Sequence, residues 1–307
     1  MKYRKLGKTG IKVSVIGLGT WQFGGEWGKH FTQAEVDAIL DKAAELGINL
    51  IDTAECYGDH LSESLIGDYI KRHKREDWVI ATKFGHHFKS HLSRDERWSP
   101  EDMLQQLDAS LKALQTDYID LYQFHSGPDN KFFNDDLWTL LDKQVEAGKV
   151  RHLGTSISKN DNLKQTDASS RYKSESIQVV YNRLNRKPEE GVFQSCQDQN
   201  LGVLARVPLA SGLLSGKYKP GTVFQQGDVR KRQEQEEIDR QLKEVEEIRK
   251  REVPENMNMA TWSLAWCLKH PAVTSVIPGC KSPQQAEANA QAARYVSDNH
   301  PQAWKED

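Results

Sequence analysis

The fold turns on how "NLIDTAECYGDHLSE", residues 49–63, is read. An apolar run over 48–51 closes in Asp52. Tyr57 follows five residues later, in a loop beside Gly58, and helical spacing begins at Ser62. A short buried strand, a polar end, a loop and a helix make one unit. Whether that unit recurs decides the architecture.

It recurs along the whole chain. Strand-like runs lie at 15–18, 48–52, 78–83, 119–124, 152–155, 177–181, 203–206 and 275–278. Helical patterns occupy 34–46, 62–71, 100–114, 135–147, 189–199, 259–269 and 283–295, with a weaker helical segment at 156–172. Strands alternating with helices predict a parallel sheet. Eight such units in 307 residues predict a (β/α)8 TIM barrel within a single domain, 1–307. "YRKLGKTGIKVSVIG", residues 3–17, reads as an N-terminal β-hairpin that would plug one end. The segment 215–258 is too long for an ordinary loop and reads as an insertion after strand seven.

Composition narrows the function. A formal net charge of -2 gives no basic footprint for nucleic acid. The charge run "RKRQEQEEIDRQLKEVEEIRKRE", residues 230–252, mixes both signs and spaces Ile238, Leu242, Val245 and Ile248 as one helix face, with Glu247 four before Arg251. No segment is apolar for long enough to span a membrane, and "MKYRKLGKTG" lacks the apolar core of a signal peptide. Four scattered cysteines form no CxxC pair, which fits reduced thiols in a cytoplasm. No exposed apolar stripe marks a subunit interface, so a monomer is expected.

Three further strand ends carry chemistry like that of Asp52. Lys83 ends strand three and His125 ends strand four, while Tyr57 lies just past strand two. In a barrel all carboxyl ends of strands open on one mouth, so the four side chains can converge. Singly, each has an ordinary reading: a cap, a packed ring, a solvated charge, a core histidine. Together they suit protonation of a carbonyl oxygen as hydride reaches carbon. A phenol has a pKa near roughly 10, and a neighbouring ammonium eases release of its proton. Asp52 would balance the lysine, and His125 would orient the reacting oxygen.

At this point "GLGTW", "DTAECYG", "ATKFG", "LYQFH", "LGTS", "PLASGLLSGKY" and "VIPG", in that order, resemble the aldo-keto reductase superfamily, and most of all its bacterial eleventh family. The resemblance implies reduction of aldehydes or ketones with NADPH, the tetrad falling on Asp52, Tyr57, Lys83 and His125. Tyr57 would be the general acid, its pKa lowered by Lys83. "GLGTWQ" lacks the last glycine of a G-x-G-x-x-G, so no Rossmann domain is expected. The same resemblance implies that NADP lies across the barrel mouth, near Gly19, Thr20, Trp21 and Asp52. Ser156 and Gln178 would hold the carboxamide. The run 209–217, with Pro208 before it and Leu209, Ser211, Leu213, Gly216 and Lys217 in it, would wrap the pyrophosphate. Gly279, Lys281, Ser282, Gln285 and Asn289 would take the adenosine end and its 2′-phosphate.

Three positions depart from the family's pattern. Ile157 follows Ser156 where Asn is frequent, Gln285 stands where Arg is frequent, and Arg206 stands where an aromatic ring is usual. Trp21, Trp27, Phe84, Phe88 and Trp98 are candidate walls of an apolar substrate pocket. His87 and His91 have i,i+4 spacing but no accompanying carboxylate, so no metal site is expected. Cys56, beside Tyr57, could be a redox handle if Lys83 lowered its pKa. An alternative function is an NADPH-binding sensor or regulatory subunit with little turnover.

Overall fold

The computed structural model describes residues 1–225 and 227–305. Eight parallel strands follow one another in chain order: β1 Leu18–Gly19, β2 Leu50–Asp52, β3 Val79–Phe84, β4 Ile119–His125, β5 Val150–Ser156, β6 Ser174–Val180, β7 Gly202–Arg206 and β8 Ser275–Val276. Parallel bridges Ile16↔Val276 and Gly19↔Gly279 join the first strand to the last. The chain is therefore the expected (β/α)8 barrel.

Strand parity sorts the residues. Leu50, Val79, Ala81, Leu121, Leu204 and Ile277 pack together inside the barrel. Ile51, Ile80, Tyr122, Phe124, Val203 and Ala205 face outward into the larger core shared with the helices. Successive side chains of a strand point to opposite faces, so a strand covered on both sides reads as continuous apolar sequence. β3 is buried along its whole length for this reason.

The predicted hairpin pairs Tyr3–Lys5 with Lys12–Ser14. It drives Leu6 and Val13 into the barrel interior. Arg4, almost wholly buried, donates to the carbonyls of Val273 (2.5 Å) and Leu268 (2.9 Å). Leu268 ends the helix Met259–Leu268, and a cation is favourable at that pole. The hairpin is thus pinned to the last turn of the barrel.

Most helices begin where their caps dictate. Thr32 with Glu35 and Ser99 with Asp102 form capping boxes for Gln33–Glu45 and Pro100–Leu114. Three predicted helical segments are shorter than their patterns, and the weak one at 156–172 keeps only the helix Leu163–Ala168 and a 3-10 turn Ser170–Tyr172. The 189–199 pattern resolves into a 3-10 turn Lys187–Glu190 and a helix Val192–Asp198; the 283–295 pattern becomes Pro283–Ala290 followed by a 3-10 turn Gln291–Tyr295. The insertion holds the charged helix Gln235–Glu252, which buries Ile238, Leu242, Val245 and Ile248 and keeps Glu247 3.2 Å from Arg251. An antiparallel bridge Trp27↔Asp228 ties this insertion to the loop after β1. One feature absent from the sequence reading is a hairpin after β3, His86–Ser90 with Ser93–Glu96.

Candidate active site

The carboxyl ends of the strands open on a cavity of about 990 Å³. At its floor Lys83 Nζ lies 2.7 Å from Asp52 Oδ1, 2.7 Å from the Thr53 carbonyl and 3.5 Å from the Tyr57 hydroxyl. An ammonium has three donors, and here all three are directed. Asp52 Oδ2 accepts from Gln178 Nε2 at 2.7 Å and Gln123 Nε2 at 3.3 Å. Asp52, Tyr57 and His125 line the cavity, whereas Lys83 lies just beneath its surface. Strand parity explains this: Lys83 follows Val79 and Ala81 on the inward face.

Tyr57 is held from several sides. Its ring stacks near Trp21, with centroids 6.0 Å apart, and meets the His125 ring edge-on at 6.3 Å. Trp21 is fixed by donation from Nε1 to Glu26 Oε2 at 2.6 Å. Gly24 lets the Tyr57 loop come close: a Cβ there would lie 2.5 Å from the Tyr57 carbonyl carbon. Any side chain at Gly24 would push the tyrosine loop away.

The electrostatics correct one expectation. Burial, then the Asp52 charge, raises the Tyr57 pKa well above 10, and Arg206 and Arg94 oppose this only in part. Tyr57 therefore holds its proton at neutral pH instead of having its pKa lowered beside Lys83. His125 is pushed well below the usual histidine range by burial and by Lys83, so its imidazole is neutral. The Cys56 thiol is pushed up to about 11 by burial, against the pull of Arg94. That removes the basis for a reactive thiolate.

Of the expected cofactor positions, Gly19, Thr20, Trp21, Gln178, Arg206, Pro208 and Leu209 line the cavity. So do Ser211, Gly216, Lys217, Gly279, Lys281, Gln285 and Asn289. Three expected positions do not. Ser156 is covered, its Oγ 3.2 Å from Ser126 Oγ. Leu213 packs with Phe224, Ile238 and Leu242 of the insertion. Ser282 caps the helix Pro283–Ala290, accepting from the Gln285 N–H at 3.3 Å.

The pocket wall needs a larger correction. Trp21 and Trp27 line the cavity, but Phe84, Phe88 and Trp98 do not. Phe84 has the outward parity of β3 and packs on Tyr122 and Phe124. Trp98 lies over Gly85, where a Cβ would collide with its ring, and is buried against Phe124. Phe88 is half-buried on the hairpin under Arg94. His86, Arg94 and Glu96, from that unread hairpin, form the wall instead. His87 and His91 go to separate partners, Glu55 and the Gly227 carbonyl.

A nicotinamide dinucleotide fits this lining. The segment from Val207 to Gly216 has left-handed backbone at Val207, Ala210, Ser211, Gly212 and Gly216, and such turns make anion-binding concavities. Lys217, Arg249 and Lys281 add positive charge around the same cavity, while Arg230 is paired with Asp228 at 2.6 Å. Gln22 Oε1, Trp27 Nε1 and Arg206 Nε are buried without hydrogen-bond partners.

Comparison with known proteins identifies the family. The model of the aldo/keto reductase family matches residues 15–304. The chain belongs to the aldo/keto reductase family. This reductase is 32% identical to aldo-keto reductase yakc [NADP(+)] of Schizosaccharomyces pombe, over 93% of this chain and 85% of that one. It is 31% identical to the NADH-specific methylglyoxal reductase of Escherichia coli, over 95% and 93% of the two chains. Aldo-keto reductase AKR11C1 from Bacillus halodurans, in its holo form, superposes with a TM-score of 0.80 at 28% identity, covering 98% of this reductase and 99% of that chain. The bacterial eleventh-family likeness read from the motifs is thus matched by structure.

Proposed function

We propose that this aldo/keto reductase reduces aldehydes or ketones to alcohols with NADPH, using Tyr57 as general acid. The observation that carries the reading is Lys83, which touches both Asp52 and Tyr57 beneath a cavity that Tyr57 and His125 face. When bound, the dihydronicotinamide supplies the hydride. As the carbonyl carbon accepts it, the C=O electron pair moves to oxygen, and the Tyr57 O–H gives that oxygen its proton. Lys83 lies against the phenolate that remains, and Asp52 keeps Lys83 in place. Neutral His125 orients the carbonyl oxygen. Burial of Lys83 and Asp52 strengthens the interactions they make.

This reading favours NADPH over NADH, because Lys281 and Lys217 line the same cavity and the Lys217 charge acts on Lys281, so that a 2′-phosphate between them would be neutralised. Relatives of both kinds exist: the yeast relative's name carries NADP(+), the Escherichia coli relative's name NADH. The whole chain is read as one cytoplasmic, monomeric unit acting on small carbonyl compounds. No helix among the described residues is long and apolar enough to cross a membrane.

The test is NADPH oxidation with 4-nitrobenzaldehyde by wild type and Tyr57→Phe. Turnover should fall by about a hundredfold or more in the variant, the scale of a lost general acid, while NADPH still binds. Near-normal turnover by Tyr57→Phe would remove Tyr57 from the role, and no turnover by wild type on any of a panel of aldehydes would sink the reading.

A further inference from the structure

The cavity floor carries one guanidinium without an ion-pair partner. Lys83 is paired with Asp52 at 2.7 Å and Arg94 with Glu26 at 2.5 Å. Tyr57 and His125 are both neutral. Arg206 has no such balance: among the described residues no carboxylate forms an ion pair with its guanidinium, and its Nε is buried without a hydrogen-bond partner. Arg206 as a whole is half-buried and faces the cavity, and a buried polar atom left without a partner, as its Nε is, demands an explanation.

Its placement is built in. Arg206 ends β7, pairing in parallel register with Val180, two residues past Gln178. The next residue, Val207, has φ 53, a left-handed conformation that a β-branched side chain resists. Asn182 holds that turn. It is buried, donates from Nδ2 to the Val207 carbonyl at 3.0 Å, and accepts at Oδ1 from the Leu184 and Asn185 N–H groups at 3.0 Å each. Backbone strain persists only where the surroundings over-determine it, and it clusters at functional sites. The strained turn presents Arg206 to the same cavity as Tyr57 and Gln178. Arg206 therefore stands at the cavity as a cation without an ion pair, and the carboxylate that acts on it, Asp52, is already held by Lys83.

We infer that Arg206 makes the site discriminate between the redox states of its nicotinamide cofactor, favouring the neutral reduced ring over the cationic oxidised one. The inference rests on the reading that a nicotinamide dinucleotide works above this floor. The reduced ring is uncharged, so the Arg206 guanidinium does not repel it. Once the hydride has gone, the ring is a cation over a floor that already holds an unpaired one. In a site screened by an effective dielectric of about 20, that repulsion shifts the binding ratio by about tenfold or more. The site thus weakens its hold on the spent cofactor and runs more readily as a reductase than as an alcohol dehydrogenase.

Dissociation constants for NADPH and NADP⁺ test this, read by quenching of tryptophan fluorescence (Trp21 and Trp27 line the cavity) and by calorimetry. Wild type, Arg206→Met and Arg206→Lys are compared, with Arg206→Gln used if circular dichroism shows that the methionine variant does not fold. Arg206→Met should tighten NADP⁺ relative to NADPH by about tenfold, and Arg206→Lys should stay within about twofold of wild type. NADH and NAD⁺ are measured alongside, so that a preference for the unphosphorylated pair is tested by the same ratio. An unmoved ratio in the charge-removing variant, with both redox forms still bound, overturns the inference alone. Failure of wild type to bind any of the four overturns the proposed function and the inference with it.

Discussion

Lys281 donates from Nζ to the main-chain carbonyl of Trp27 at 3.0 Å, and its charge stands 5.7 Å from the Trp27 ring centroid. Burial first, and then Arg230, holds its pKa below the usual lysine range. An anion beside Lys281 would relieve that strain on its charge. Lys281→Ala should weaken NADPH more than NADH, by about 1–3 kcal/mol for a charged hydrogen bond. Equal losses for the two cofactors, measured by titration, would remove Lys281 from the 2′-phosphate site.

The proton inventory of the floor sets a pH profile. Tyr57 holds its proton well above pH 10, because of burial and then Asp52. His125 stays neutral well below the usual histidine range, because of burial and then Lys83. Neither group titrates across the neutral region, so carbonyl reduction at saturating substrate should be level from about pH 6 to about pH 9. A sigmoidal fall of kcat centred near pH 7, without solvent isotope effects on product release, would show that one of the two charges is misassigned.

Cys56 lines the cavity, yet its thiol is pushed up to about 11 by burial. Cys196, Cys267 and Cys280 are buried as well. Only the thiolate reacts quickly. Native protein should therefore give almost no reaction with Ellman's reagent at neutral pH and release its thiols on denaturation. Rapid labelling of Cys56 in the native state, seen by peptide mass spectrometry, would contradict this.

His300 offers a stability test away from the site. Its Nε2–H donates to the His270 carbonyl at 3.2 Å, and its Nδ1 accepts from the Gln302 N–H at 3.2 Å. Burial, then the Arg4 charge, lowers its pKa from 6.5 to about 4. Below pH 6.5 the unfolded chain takes up a proton that the native chain refuses. Its contribution to stability is thus present above pH 6.5 and is lost as pH falls towards about 4. His125, His86 and His270 are also lowered and act with the same sign. The melting temperature should drop on acidification through this window, and His300→Gln should make the drop shallower. An identical slope in the variant would exclude His300.

The barrel and its floor could be read from sequence because strands covered on both faces appear as apolar runs, and the polar residues that end them stand out. Asp52, Lys83 and His125 were visible in that way. The pocket wall was not, because an aromatic residue type does not say which face it occupies. Phe84 is adjacent to Lys83, and the period of two puts it on the opposite face. The hairpin after β3 was hidden by its composition, since "HHFKSHLSRDE" alternates too weakly to stand out as strands. Asn182 gave no signal either, because its role depends on the backbone of Val207, which residue identity does not report.

The bridges that close the barrel have a consequence in time. Ile16 and Val276, which meet across the seam, stand 260 positions apart in the chain. Contacts of such separation are slow to form, because much of the chain must be ordered before they reward it. During synthesis the first stave waits with an open edge until Val276 has left the ribosome. A strand edge left open is a template for pairing with other chains. A chain stopped just before Ser275 would therefore lack more than the helix Pro283–Ala290. It would keep two unsealed edges, on β1 and β7, and should accumulate as aggregate instead of as a shorter enzyme.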